Sequence, residues 1–372
     1  MKVLFIIDSF GSGGAQRQMV LLAKGMAAIN HEIEFFIYHP AHDFYEPELK
    51  AHDIKVHKYC KTSQFSFGPV FAIRKVLREG GYDVVLAFMD VPGLYAELAS
   101  IGWQSPPLVV SERSTYIFHK DRMWKKRLTE QFHYLADVIA CNSYNQSTLM
   151  AKSNPYLRKK IETILNGVDK NIFYPNTSDS KSDVVIKVLV VGRIDEGKNA
   201  LGALKALRIL REKYNIEILV SWVGKLNGSV SSNIYYDRIN ELIMDWQLAD
   251  NWRWLGERSD IADLMRESNV LLHPSFYEGF ANVICEAMSC GLPVIASNVC
   301  DNGVFVQDAE TGFLFDPNDP ESIAKAMSNF LSLKQNEVID MSQKAYKLAV
   351  KKFGLDAYVD SYEQLFLRLI NK

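Results

Sequence analysis

The chain has 372 residues, 48% hydrophobic and 23% charged, proportions of a soluble globular protein with room for two domains that each carry a core. A formal net charge of -2 excludes a global basic surface, so no nucleic-acid partner is expected. Cys60, Cys141, Cys285, Cys290 and Cys300 form no C-x-x-C pair and have no metal-ligand spacing; they read as reduced thiols of a cytoplasmic protein, with no metal. No apolar run is long enough to cross a membrane, and Met1 to Asp8 turns polar too soon for a signal peptide.

Val3 to Ile7 is a continuous apolar run, the mark of a strand buried on both faces. It stops at Asp8 and the loop Gly11-Ser12-Gly13-Gly14, after which Met19, Leu22, Ala23 and Met26 share one face of a helix. Strands are expected at 33–38, 54–57, 84–88, 108–110, 138–141 and 161–165, with helices near 70–77, 93–101 and 125–135 between them. Tyr174 to Asp183 is polar and aperiodic and reads as a linker, which separates a first domain, 1–173, from a second, 184–352. The second domain repeats the alternation. Strands are expected at 186–191, 216–223, 252–255, 270–272, 294–296 and 311–315, with helices at 201–210, 234–246, 261–265 and from Phe280 to Met288. Leu355 to Ile370 places Tyr358, Tyr362, Leu365, Phe366 and Leu369 on one stripe of an amphipathic helix. Strand–helix alternation implies right-handed βαβ units and mostly parallel sheets, an α/β fold.

Three stretches could carry chemistry. Gly192-Arg193-Ile194-Asp195-Glu196-Gly197-Lys198-Asn199 follows the first strand of the second domain and opens its first helix. Glycines let a ligand approach the backbone, a helix N-terminus favours phosphate, and Arg193 and Lys198 add two positive charges, so the loop outlines a diphosphate site. It is not a Walker A loop, and seen alone it could equally be a polar turn. Gly11-Ser12-Gly13-Gly14-Ala15-Gln16 lacks the third glycine of the dinucleotide fingerprint and could be a bare turn. Ser275-Phe276-Tyr277-Glu278-Gly279-Phe280-Ala281-Asn282-Val283-Ile284-Cys285-Glu286-Ala287-Met288 places Glu278 at a strand-to-helix turn. Glu286 comes eight residues on, about 12 Å along a regular helix. Each glutamate alone reads as solvated; together, outside a strand carboxyl end, they could grip a polar ligand at two points.

Taken in register, Gly192-Arg193-x4-Lys198, then Glu278-Gly279-Phe280-Ala281-Asn282-Val283-x2-Glu286-Ala287-Met288, then Cys290-Gly291-Leu292-Pro293-Val294-Ile295-Ala296 resemble the retaining glycosyltransferases of the GT4 family. Gly13-Gly14, Asn166-Gly167-Val168-Asp169 and Thr311-Gly312-Phe313-Leu314 stand in the same order, so the resemblance covers nearly the whole chain. It implies the GT-B fold: two Rossmann-like domains facing across a cleft, with the C-terminal helix, 353–372, crossing back to the first. The first domain would take the acceptor and the second the nucleotide sugar. Arg193 and Lys198 would hold the donor diphosphate and neutralise the leaving group. Glu286 would accept hydrogen bonds from the ribose. Glu278, with the backbone of Gly279, Phe280, Ala281, Asn282 and Val283, would face the donor sugar and its phosphate. Gly13 and Gly14 would cover the diphosphate, and Leu255-Gly256-Glu257-Arg258 would line the base pocket. Where many members carry a His in the first domain, this chain has Val109-Val110-Ser111-Glu112-Arg113-Ser114, which makes Glu112 or Arg113 a candidate for contact with sugar or acceptor. His119, His133 and His273 read as structural or surface residues.

His119 to Leu128 holds five basic residues against one acid. Lys120, Arg122, Trp124, Lys125, Lys126 and Arg127 read either as a solvated helix face or as a patch for an anionic membrane surface. The function implied is metal-independent transfer of a hexosyl or N-acetylhexosaminyl group, without a cofactor, from a nucleotide sugar, expected to be a UDP-sugar. The acceptor would be a glycan or lipid-linked molecule of polysaccharide or glycoconjugate synthesis, reached from the cytoplasm or the inner face of the membrane. A GT-B sugar-nucleotide epimerase and a non-catalytic sugar-nucleotide-binding protein are the other readings.

Overall fold

The computed structural model describes residues 1–63, 66–113, 129–176, 185–226 and 228–372. They divide into two units, Met1–Gly167 with Phe353–Lys372, and Val168–Lys352. The division falls at Gly167, ahead of the expected boundary at 173. Ile172 and Tyr174 are held by Arg266 of the second unit, whose Nη1 donates to Ile172 O at 3.0 Å and whose guanidinium lies 4.3 Å from the Tyr174 ring centroid.

Among the described residues, the first unit contains a seven-stranded sheet, β1 (Lys2–Ile6), β2 (Glu32–Ile37), β3 (Lys55–Lys58), β4 (Val84–Phe88), β5 (Leu108–Glu112), β6 (Val138–Cys141) and β7 (Ile161–Thr163), ordered 3-2-1-4-5-6-7. Every pairing is parallel. Helix α1 (Gly14–Ala28) follows β1, α2 (Glu46–Lys50) follows β2, α3 (Gly68–Gly80) follows β3, α4 (Asp90–Ser100) follows β4 and α5 (Tyr144–Ser153) follows β6. β1 and β4 lie at the centre, which is why their apolar runs are unbroken.

The second unit has six parallel strands, β8 (Ile186–Val191), β9 (Ile218–Val223), β10 (Trp252–Gly256), β11 (Val270–His273), β12 (Val294–Ser297) and β13 (Gly312–Phe315), ordered 10-9-8-11-12-13. Its helices are α6 (Ala200–Tyr214), α7 (Val230–Asp245), α8 (Ile261–Glu267), α9 (Asn282–Ser289), α10 (Asn302–Phe305), α11 (Pro320–Leu331) and α12 (Gln335–Phe353). Trp222 stacks on Trp252 at 5.9 Å and packs against Trp254 at 5.7 Å, filling the core under the edge of this sheet.

The last helix, α13 (Leu355–Ile370), returns the chain to the first unit. Its stripe Tyr358, Val359, Tyr362, Leu365, Phe366 and Leu369 enters the core formed by α1 and β1. Gly25 of α1 makes room: a Cβ there would stand 2.4 Å from Val359 Cγ2. No described helix is long and apolar enough to cross a membrane.

Candidate active site

In an open parallel sheet the ligand site lies outside the strand carboxyl ends, where the strand order reverses. In the second unit that point falls between β8 and β11, which pair through Val188–Val270 and Leu189–Leu271. The two strands run straight into the two motifs singled out above, so topology brings together stretches some 80 positions apart.

The loop after β8 is built around its polar side chains. Asp195 Oδ1 accepts from Lys198 N at 3.2 Å and caps a 3₁₀ turn, Glu196–Lys198. Asn199 follows with a left-handed φ of 58°, tolerable for Asn. Its side chain caps α6 by accepting from Gly202 N at 3.0 Å, and donates to Pro274 O at 3.1 Å and Pro317 O at 3.0 Å. Phe276 N adds a bond to Gly197 O at 3.0 Å. The β8 and β11 loops are therefore stitched to each other by buried bonds, which fixes where Lys198 points.

It points at Glu278. Lys198 Nζ lies 2.5 Å from Glu278 Oε1, and His273 Nε2, at the end of β11, lies 2.9 Å from the same oxygen without hydrogen-bond alignment. Glu278 is only 8% exposed. Burial alone would push its carboxyl up; His273 and then Lys198 outweigh that and bring it down to about 2, so the group is a carboxylate at any physiological pH. Its own N–H is directed at Cys300 Sγ at 3.5 Å. Arg193 is exposed, with Nη2 3.4 Å from Asp195 Oδ2.

The helix carrying Glu286 begins later than its sequence pattern suggests. It starts at Asn282, not Phe280, because Phe280 leaves the helical path to pack on Phe305 at 5.2 Å and Ala281 has ψ of 76°. Gly279 to Ala281 are therefore loop, and the regular-helix spacing of Glu278 and Glu286 does not hold. Glu286 is buried one turn into α9. The cap residue of α9, Ala281, makes no side-chain bond, and Asn282 N donates to Phe280 O at 3.0 Å. Arg258 stands apart, exposed after the edge strand β10 and bound to Asp260, with Nε to Oδ1 at 2.8 Å. Three strand spacings, about 14 Å, separate β10 from β11.

In the first unit, Gly13 caps α1 without a side-chain bond, and Gly14 begins it; both are exposed at the carboxyl end of β1. Next to them, at the end of β4, Met89 has φ of 76° and ψ of 164°, a conformation that strains a side-chain-bearing residue. Glu112, at the end of β5, is 1% exposed. It lies 3.3 Å from Nε2 of buried His133, whose Nδ1 lies 2.7 Å from Glu97. Burial disfavours a charged His133, but the two carboxylates outweigh it and raise its pKa. Arg113 is directed into α13: its guanidinium lies 3.9 Å from the Phe88 ring centroid and donates to Tyr362 Oη at 3.0 Å and to Asn166. The basic stretch containing Lys120, Arg122, Trp124, Lys125, Lys126 and Arg127, together with Ser114 and His119, lies outside the described residues. No cluster suited to a metal ion occurs among the described residues.

Residues 12–171 match the model of Glycosyltransferase Family 4, and residues 175–348 match Glycosyl transferases group 1. The chain belongs to the GT4 family of glycosyltransferases. A relative from Campylobacter jejuni, a GalNAc-alpha-(1->4)-GalNAc-alpha-(1->3)-diNAcBac-PP-undecaprenol alpha-1,4-N-acetyl-D-galactosaminyltransferase, is 26% identical over 89% of each chain. An Escherichia coli UDP-Gal:alpha-D-GlcNAc-diphosphoundecaprenol alpha-1,3-galactosyltransferase is 25% identical, covering 81% of this chain and 79% of its own. The crystal structure of Anabaena HepE in complex with UDP superposes with a TM-score of 0.85 at 21% identity, over 99% of this chain and 100% of that one. The two parallel sheets are thus those of a GT-B glycosyltransferase.

Within that GT4 frame, sequence reasoning missed two residues. His273, which the sequence reads as structural or surface, is buried and contacts the Glu278 carboxylate; its position as the last residue of a strand leading to Glu278 is the signal. Asn199 ends the loop after β8 and carries no role in the sequence reading; an Asn between a Gly-Lys pair and a helix start is the signal for a left-handed cap.

Proposed function

We propose that this GT4 protein transfers a sugar from a UDP-sugar to a lipid-linked or glycan acceptor, with retention of anomeric configuration and without a metal ion. The observation that carries it is the convergence of Lys198, His273 and Glu278 at the β8–β11 switch point, beside the first turn of α9. The bond from the anomeric carbon to the β-phosphate oxygen breaks, an acceptor oxygen takes its place, and the acceptor hydroxyl gives up its proton to the departing diphosphate. Negative charge grows on the departing diphosphate, and its stabilisation is assigned to Lys198, Arg193 and the N-terminal end of α9. Glu286 is the acceptor for the ribose hydroxyls, and the β10 loop with Arg258 is assigned to the base. The relatives' names support the donor and acceptor classes: one specifies UDP-Gal, both a polyprenyl carrier.

Thermal shift with UDP, GDP and ADP sugars tests the donor, since a ligand that binds the native state raises its apparent stability. A shift specific to UDP-sugars is expected. Transfer to a polyprenyl-diphosphate saccharide should then survive excess EDTA, with the product anomer read by NMR. Epimer formation without acceptor, an inverted product, or loss of transfer on chelation would each overturn the corresponding part of the reading.

A further inference from the structure

Gly197 lies in the loop between β8 and α6, one residue ahead of Lys198. Its φ is not left-handed, so backbone conformation does not call for glycine there. Space does. A Cβ at 197 would stand 2.7 Å from Tyr277 Oη, 3.1 Å from Tyr277 Cζ and 3.3 Å from Asp195 Oδ1, the atom that accepts from Lys198 N. The ring or the turn would have to yield by about 0.7 Å before Oη and the new carbon reached ordinary contact at 3.4 Å. Tyr277 is half-buried, and burial followed by the Asp195 carboxylate raises its pKa, so a neutral phenol packs on the loop. Its neighbours in sequence meet the same turn. Phe276 N donates to Gly197 O at 3.0 Å, and Glu278 Oε1 lies 2.5 Å from Lys198 Nζ. Three consecutive residues after β11 therefore close on two after β8: backbone on backbone, ring on the bare Cα, carboxylate on ammonium. Asp195 and Asn199 fix the two ends of the turn Glu196–Lys198, whereas Phe276 and Tyr277 bear on its middle. The place of the turn sets where the Lys198 side chain starts, and so where its ammonium can reach.

We propose that Tyr277 is a positioning residue: its ring presses on Gly197 and so holds Lys198 where it serves both Glu278 and the departing diphosphate. The consequence for rate rests on the transfer reaction proposed above; the contact does not. Initial rates of transfer, with the UDP-sugar that thermal shift selects, test it. Gly197→Ala should lower kcat by at least about tenfold, since a displacement near 1 Å in a positioned group can cost about 10²-fold, with a smaller change in donor KM. Tyr277→Ala, which lets the turn relax, should also lower kcat, and Tyr277→Phe, which keeps the ring, should lose less. Gly197→Ala should cost nothing further in a Tyr277→Ala background, and nothing further in a Lys198→Ala background, whereas independent effects multiply. A loss that multiplies in either background overturns the proposal, as does wild-type kcat in Gly197→Ala. Urea denaturation reads the same contact without turnover. Gly197→Ala should lower the midpoint of wild type and leave that of Tyr277→Ala unchanged; equal drops overturn the proposal. Transfer absent with this coupling present breaks the proposed function alone, and transfer present with the coupling absent breaks the positioning role alone.

Discussion

Lys198→Ala separates two consequences of one contact. The lysine is held 2.5 Å from a buried carboxylate, and its side chain is 22% exposed, so it can reach a ligand. If it stabilises the departing diphosphate, its loss should lower kcat by about 10²–10³-fold, the effect of deleting one charge-stabilising donor from a preorganised site. The same change leaves Glu278 buried with His273 alone. Losing one partner of a buried charged group costs about 1–3 kcal/mol, which for a unit of this size lowers the melting temperature by roughly 2–4 °C per kcal/mol. Initial rates over a range of donor concentrations give kcat and KM. Tryptophan fluorescence follows the melt, since Trp222, Trp246, Trp252 and Trp254 all belong to the second unit. Lys198→Arg keeps the charge and should recover most of the stability but less of the rate, because the compact ammonium is what fits against Glu278. A kcat/KM within about threefold of wild type, with the melt lowered as expected, would refute the catalytic role and leave the lysine as a structural ion-pair partner.

Glu278→Gln tests the electrostatics through pH. A carboxyl whose folded pKa is depressed from 4.5 to about 2 contributes stability that is fully present above pH 4.5 and is lost as pH falls through about 2. The stability gap between wild type and variant should therefore be about 3 kcal/mol near neutrality and shrink toward pH 2 in urea titrations; a constant gap rejects the assignment. Glu286→Ala should raise the donor KM and erase discrimination between UDP and its 2′-deoxy analogue, and retained discrimination moves the ribose contact elsewhere. Asn199→Ala removes three hydrogen bonds and puts a residue less tolerant than Asn at φ of 58°, so a loss of about 2–4 kcal/mol is expected in chemical denaturation, with a loss below about 0.5 kcal/mol ruling out the stitching role. His273→Ala should raise the donor KM by about fivefold or more with a smaller change in kcat, since Lys198 then remains Glu278's main partner; an unchanged KM rejects that exchange.

The sheets were legible because central parallel strands must be apolar on both faces. Val84–Phe88, Val138–Cys141 and Ile186–Val191 agree with expectation to the residue. Helix α13 was equally plain, since its stripe serves a core and cannot vary. Helix α5 was not anticipated: it buries little besides Gln146 and Met150, too few positions to write a period into the sequence. The late start of α9 was hidden for another reason, because Phe280 fits a helical pattern locally and only Phe305, in a different element, draws it out of the helix. In the site, the residue types of the β8 and β11 loops pointed to phosphate and polyol chemistry, whereas the pairing partners depended on strand order. Nothing local tells that Glu112 faces a buried histidine from the segment before β6, or that Arg113 is absorbed by Tyr362 at the far end of the chain. Periodicity reports burial; it does not report which buried polar groups meet.

Under the function proposed above, His273 bears on how a donor site would be kept ready. An unliganded site holding two basic side chains for a diphosphate needs an anion to balance them, and Glu278 supplies it to Lys198. A bound diphosphate competes with Glu278 for that lysine, and a carboxylate this deeply buried cannot be left without a partner unless it takes up a proton. His273 lies against the same oxygen and, in the proposed reaction, would stay with it as Lys198 turns to the phosphates. The exchange lets donor binding proceed without a proton being taken up at Glu278, and it makes the resting pair a store of preorganised charge instead of an obstacle. That is why the His273 substitution is expected to appear chiefly in donor KM, whereas removal of Lys198 appears in kcat.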